Sequence, residues 1–199
     1  MKILVTETVS SSFRAHLANS NDVRGSDGLD VREPDQVKPL LGGVEALVHA
    51  VPTVAKDQSE EETLDRSTRG AYVLLKEAVE AGVPRAILLT PLDAFDAYDA
   101  DYVIDEAWRA RPGPEAGSLA PVLAERVFRE FSRQGPISTT SLRSRTICSV
   151  DPSEVDRRAI DTVLKADDGG SEYRYQVYNV DDSVRFPLRA ARSLLKGVG

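Results

Sequence analysis

Ile3-Leu-Val-Thr-Glu-Thr-Val-Ser-Ser-Ser-Phe-Arg-Ala-His-Leu17 is the stretch that decides the fold. Ile3, Leu4 and Val5 form an apolar strand that ends at Thr6, and an amphipathic segment begins near Ser11. A strand, a short loop and a helix in that order form the unit whose loop, when it reads G-x-x-G-x-x-G, cradles a dinucleotide pyrophosphate. Here the glycines are gone: with Thr6 before the first, the three positions hold Glu7, Ser10 and Phe13. Each glycine would have a physical task, namely a tight turn, close approach to phosphate, and close packing of helix on strand. Glu7 is the least compatible replacement. A carboxylate about 4 Å from one phosphate charge costs roughly 4 kcal/mol at an effective dielectric of ~20, about a thousandfold in affinity. A shift of the alignment by one residue does not restore the motif, because no glycine lies between Met1 and Arg24.

Outward from this unit, short apolar runs alternate with helical patterns to the end of the chain. Strands are predicted over 2–6, 22–26, 45–50, 85–90, 137–142 and 174–180. Helices are predicted over 11–18, 34–41, 62–81, 118–134, 153–166 and 186–196. Such alternation implies parallel βαβ units, hence an α/β fold: a Rossmann-like, doubly wound, mostly parallel sheet in a three-layer sandwich. The clearest helix is 62–81, where Leu64, Ala71, Leu74, Leu75, Ala78 and Val79 share a face and Gly82 stops it. Residues 91–117, rich in proline and aspartate, read as a long loop, and 167–172 as a turn. No repeat or linker divides the chain, so residues 1–199 are expected to form one domain.

The 199 residues, 41% hydrophobic and 29% charged, are ordinary for a globular protein with a proper core. A net charge of −7 argues against nucleic acid or an anionic membrane as partner. The single cysteine, Cys148, excludes an internal disulfide and reads as a small apolar residue in a strand. Two histidines far apart, His16 and His49, give no metal-ligand spacing, so no metal site is expected. No signal peptide or membrane span is seen, and a cytoplasmic location is expected.

Six segments in order resemble the extended short-chain dehydrogenase/reductases, the NAD-dependent epimerase/dehydratase group. Met1-Lys-Ile-Leu-Val-Thr6 is similar to their opening strand, and Gly28-Leu-Asp-Val-Arg-Glu-Pro-Asp35 to their "G-D-x-x-D" segment near the adenine. Gly43-Val-Glu-Ala-Leu-Val-His49-Ala50 resembles "G-v-D-x-V-x-H-x-A". Arg69-Gly70-Ala-Tyr-Val-Leu-Leu75 with Ala81-Gly-Val-Pro-Arg85 parallels "N-x-x-G-T-x-N-L-L…A-G-V-x-R". Asp105-Glu106, Trp108, Pro112 and Leu123-Ala-Glu125-Arg126 parallel "D-E…P…K-x-x-x-E". Tyr178-Asn-Val180 and Phe186 to Gly197 resemble the last strand and C-terminal helix.

The resemblance implies NAD or NADP as cofactor. The positions it would use are Thr6, Ser10 and Ser12 in the first loop, Asp27 and Asp30 near the ribose and adenine, and Val51 and Thr90 at two strand ends. Asp27 reads equally as a turn aspartate in Gly25-Ser-Asp-Gly28, and the three serines as helix caps. The resemblance also implies a serine or threonine, a tyrosine and a lysine as the catalytic set. Anchored on Glu125, the lysine position holds Pro121 and the tyrosine position Gly117, and the serine position, just after the strand ending at Thr90, falls on Pro91 or Leu92. None of these moves a proton.

Asp93, Asp96, Asp99, Asp101, Asp105 and Glu106, with Tyr98 and Tyr102 between them, follow the strand that carries the catalytic serine in the family. Asp96 and Asp105 are candidate acid/base groups and Tyr98 or Tyr102 a candidate substitute tyrosine; a solvated acidic loop is the plainer reading. Arg143 and Arg145 are expected just after the strand predicted over 137–142, where the resemblance implies a substrate-phosphate arginine; plain surface charge is the alternative. His49 is expected in the core. The resemblance implies a homodimer through helices 62–81 and 118–134, and a substrate-binding lobe reduced by the chain's length. Taken together, these substitutions point to a non-redox binding or regulatory module. The alternative is an atypical NAD(P)-dependent epimerase, dehydratase or reductase, or a non-redox isomerase or lyase, on the same fold.

Overall fold

In a computed structural model, which describes residues 1–6, 8–52, 59–166, 174–181 and 183–196, six strands form one sheet. They are β1 (Lys2–Val5), β2 (Asp22–Gly25), β3 (Ala46–Ala50), β4 (Arg85–Pro91), β5 (Ser138–Ser144) and β6 (Tyr175–Asn179). The order is β2-β1-β3-β4-β5-β6, and every neighbouring pair is parallel, so the sheet is parallel throughout rather than mostly. The predicted strands fall where expected. Continuous apolar runs explain this, since β3 and all but the end residues of β4 are buried.

The helices are α1 (Ser11–Ala18), α2 (Pro34–Val37), α3 (Glu60–Asp65), α4 (Ala71–Glu80), α5 (Ala116–Gln134), α6 (Glu154–Lys165) and α7 (Arg189–Lys196). Ser10 caps α1 by accepting from the Phe13 amide, and Ser153 with Asp156 makes a reciprocal capping box on α6. Gly82, at φ +76°, ends α4 in the left-handed region, with the Val83 amide returning to the Ala78 carbonyl. Two predictions need correction. The helix predicted over 62–81 begins at Glu60 and passes through a π turn at Arg66–Gly70. The helix predicted over 34–41 stops at Val37 and tightens into a 3-10 turn at Lys38–Leu40, where Pro39 offers no amide. The expected turn over 167–172 lies outside the described residues.

Apolar layers fill both sides of the sheet. On one side Val37, Leu74, Ala78, Ala124 and Phe128 of α2, α4 and α5 pack on Leu4, Leu47 and Leu88. On the other, Phe13, Leu17, Ile160 and Val163 of α1 and α6 pack on Ile3, Val48 and Leu89. Gly70 packs against Val31, where an added methyl would sit 3.1 Å from its Cγ2, closer than ordinary contact. A third, small cluster of Leu92, Phe95, Ile104 and Phe186 pins the 93–111 segment to the chain after β6. That segment is therefore tethered: the Ile104 amide donates to the Arg185 carbonyl, and the Arg111 amide to the Ala94 carbonyl. The acidic stretch predicted as a plain loop opens on a 3-10 turn at Asp93–Phe95 and gives way to α5 at Ala116.

The chain builds outward in opposite directions from β1, toward β2 on one side and β3 on the other. In such sheets ligands bind at the carboxyl ends of the strands near that reversal.

Candidate functional site

At those strand ends, a cavity of about 530 Å³ opens between β3, β4, β5 and the start of α5. Val51 and Pro52 line it just past the end of β3, Pro91 from the end of β4, Asp93 from the 3-10 turn that follows, and Gly117, Ser118 and Pro121 from α5. Arg145, Cys148 and Ser149 close it from the segment after β5. Gly117 and Pro121, the positions anchored on Glu125, and Pro91, the first of the two serine candidates, all line this one cavity. Phe13 and Leu92 do not fill it: Phe13 is fully buried beneath the sheet, and Leu92 belongs to the third cluster.

Pro121 lies inside α5 and is buried. Lacking an amide hydrogen, it leaves the Gly117 carbonyl without its intrahelical donor at the cavity wall. The Ser118 hydroxyl accepts from the Gly113 amide at 2.8 Å. Cys148 lies after β5 and not in a strand. Its thiol faces the Leu89 carbonyl at 3.6 Å, and burial pushes its pKa up to about 12, so it is no nucleophile at neutral pH.

Arg145 is held by Asp96 through two contacts of 3.0 and 2.5 Å and by Asp93 at 3.4 Å, above the Phe186 ring. That guanidinium keeps the Asp96 carboxyl below the usual carboxylate range. Arg143 lies within β5, not after it, and only 10% of its side chain is exposed; both ends of its fork meet Glu125. Neither arginine is a free surface charge.

The other acid/base candidates stand outside the cavity lining. Asp105 pairs with Arg189 at 3.1 Å and accepts from the Ala107 amide. The Tyr98 hydroxyl donates to the Arg109 carbonyl at 2.8 Å, its ring edge-on to Trp108 and under Arg111. Tyr102 is half exposed against Trp108. Among the described residues no cluster of histidine, cysteine or carboxylate side chains is arranged for a metal.

The residues singled out for the cofactor are mostly engaged within the protein. Thr8 donates to the Ala50 carbonyl, which leaves Thr6 to donate to Thr8 and to accept from His49 Nδ1 at 3.0 Å. This chain fixes the His49 tautomer and leaves Nε2 a buried lone pair with no hydrogen-bond partner among the described residues. Burial, then the charge of Arg66, pushes the His49 pKa down to about 4, so the ring is neutral and belongs to the core, stacked on Phe128. Ser10 is spent on the Phe13 amide, and the Ser12 hydroxyl is shielded without a described partner. Asp27 meets Arg14, while Asp30 takes Arg32 in a fork that lowers its pKa. The Val51 amide donates to the Leu89 carbonyl, and the buried Thr90 leans on the Pro91 carbonyl at 3.4 Å. Glu7 lies outside the described residues.

Known structures share this fold. A short-chain dehydrogenase/reductase superfamily protein from Agrobacterium tumefaciens, solved with bound NAD, superposes with a TM-score of 0.61 at 21% identity. That match covers 72% of this chain and 49% of the other, so it spans about half the length of that relative. The fold is that of the short-chain dehydrogenase/reductases. A mutated uronate dehydrogenase matches over 100% of this chain and 86% of its own, with a TM-score of 0.69 and 16% identity. A dTDP-glucose 4,6-dehydratase from Streptomyces venezuelae, solved with NAD and TYD, matches over 99% and 80%, with a TM-score of 0.67 and 15% identity. No protein-family model and no curated sequence matches the chain.

Sequence reasoning missed the joint placement of Cys148 and Ser149 with the three prolines, and the pairing of Asp27 with Arg14. Pro52 and Pro91 sit at or just past strand ends, while Pro121 interrupts the helix that faces them. That recurrence of proline was the available signal.

Proposed function

We propose that this protein is a binding module on the short-chain dehydrogenase/reductase fold and performs no hydride transfer. The observation that carries the reading is the cavity wall itself: Pro91, Gly117 and Pro121 stand where the resemblance puts serine, tyrosine and lysine. A proton acceptor for an alcohol substrate needs a titratable group within hydrogen-bond reach. The described lining offers Asp93, tied to Arg145, and a thiol held protonated by burial. The NAD seen in the Agrobacterium protein would meet, in this chain, first-loop hydroxyls that are mostly committed to internal partners and a loop without glycine.

The enzyme alternative on the 93–106 carboxylates finds less support, because Asp96, Asp105 and Tyr98 each hold a partner. The test is an absorbance assay for reduced cofactor with NAD and NADP against a uronate, joined to product analysis by NMR for UDP-glucose and dTDP-glucose, whose epimerisation or dehydration would regenerate the cofactor. The reading expects no turnover, and steady turnover would overturn it.

We further propose a homodimer through α4 and α5. Tyr72, 53% exposed, meets Phe131 edge-on beside Val79 and Val127, around a hollow of about 530 Å³ on the outer helical face. An exposed tyrosine amid apolar neighbours and charges of both signs suits a two-fold contact.

A further inference from the structure

We infer that residues 95–110 form a lid that lifts as one body off the carboxyl ends of β5 and β6 and uncovers a concealed pair of polar side chains. The two ends of this segment meet, since the Arg111 amide donates to the Ala94 carbonyl at 2.8 Å. Its interior is packed by its own side chains. The Tyr98 ring stands edge-on to Trp108 with centroids 4.9 Å apart, Tyr102 tilts against the same indole, and the Tyr98 hydroxyl donates to the Arg109 carbonyl. A surface loop with a closed neck and its own packing is an Ω-loop. Such a loop can leave the body of the protein at its neck while its inner contacts persist.

Beneath the lid stand Arg143 and Asn179, paired residues of β5 and β6 with 8% and 0% of their surface exposed. The Asn179 amide donates to Glu106 Oε1 at 3.0 Å, and its Nδ2 faces the Ile104 carbonyl at 3.5 Å. The Arg143 guanidinium lies 5.1 Å from the centre of the Phe95 ring. Each of the two keeps one buried polar atom with no hydrogen-bond partner among the described residues, Nη1 of Arg143 and Oδ1 of Asn179. A buried donor and a buried acceptor left unsatisfied raise the free energy of the closed state. Lifting the lid returns both to water and favours opening.

The lid is fastened by the C-terminal segment at few points. Arg185 Nη2 donates to the Phe95 and Tyr98 carbonyls at 3.2 and 2.8 Å, and the Arg185 carbonyl accepts from the Ile104 amide at 2.8 Å. Arg189, with 62% of its side chain exposed, pairs with Asp105. The apolar seal is the small cluster of Leu92, Phe95, Ile104 and Phe186, separate from the two layers that hold the sheet. Segments with few buried apolar contacts open at lower free energy than a core. At the neck, Arg145 holds Asp93 and Asp96, so the cavity wall stays in place when the lid lifts.

The experiment is amide hydrogen exchange of the isotope-labelled full chain, read by two-dimensional NMR. The Ile104 and Asn179 amides, which bond across the lid boundary, are expected to exchange together, about 100-fold or more faster than His49 and Leu88 of the central strands β3 and β4. Arg111, whose bond closes the neck, is expected to exchange about tenfold or more slower than Ile104. Arg185→Ala should speed Ile104 and Asn179 about tenfold and leave Leu88 unchanged. Arg189→Ala, at an exposed site, should speed them about threefold. Ile104 or Asn179 as protected as Leu88 would mean that the segment opens only with the whole domain. Arg111 exchanging as fast as Ile104 would mean that it melts instead of lifting. Either result, or an Ile104 rate unchanged in both variants, would overturn the inference.

Discussion

Arg143 and Glu125 meet fork to fork, at 2.7 and 2.6 Å, with only 10% and 12% of their side chains exposed. The pair ties α5 to β5 two turns below Gly117, so it holds one wall of the cavity against the sheet. Burial opposes the guanidinium charge, yet Glu125 keeps its pKa raised. Removing one partner strands the other charge out of water. Glu125→Ala is therefore expected to cost about 3–5 kcal/mol in urea unfolding. A loss under 1 kcal/mol would mean the pair is dispensable.

Stability should also fall on mild acidification. His49 titrates near 6.5 when unfolded and at about 4 in the fold. The unfolded chain therefore binds the proton first, and stability present above pH 6.5 is lost as pH falls toward 4. The loss amounts to about 3 kcal/mol. Asp30 and Asp96, whose pKa values lie below 3.8, act only in more acid solution. Urea midpoints measured between pH 7 and 4 should show the slope, and His49→Gln should flatten it.

Pro121 is a strained choice for a helix interior, where proline costs about 3 kcal/mol. Alanine there restores the bond to Gly117 but removes buried ring carbons. A net gain of about 1–2 kcal/mol is expected from Pro121→Ala. An unchanged or lower melting temperature would show that the ring's packing outweighs the missing hydrogen bond.

Tyr72→Glu tests the dimer without touching the core, since the side chain is half exposed. Sedimentation equilibrium should give a dimer for the parent chain and a monomer for the variant. A monomeric parent would contradict the proposed contact.

Much of this was legible in the residues because the elements are set by local pattern. Alternation of apolar runs and helical stripes located the strands, and Ser10 and Gly82 marked helix ends. Pro121 and Gly117 were placed by the family resemblance anchored on Glu125, and the helix, predicted from 118, begins at Ala116 and so includes Gly117. The ion pairs were not legible. Arg145 meets Asp96 only because β4 and β5 align Pro91 with Ser144, a register set by the whole sheet. Arg143 was read as following its strand because a charged residue in a buried row is unexpected without its partner, and Glu125 lies on another element. The π turn at Arg66–Gly70 leaves no trace in a pattern of apolar spacing.

The central claim is that the nucleotide site of this fold does not bind its cofactor here. Calorimetric titration of the purified protein with NAD and NADP, oxidised and reduced, at moderate salt tests it most directly. The account predicts no binding heat up to millimolar ligand. Micromolar binding of any of the four would mean that the first loop has been rebuilt around Glu7, and would contradict it.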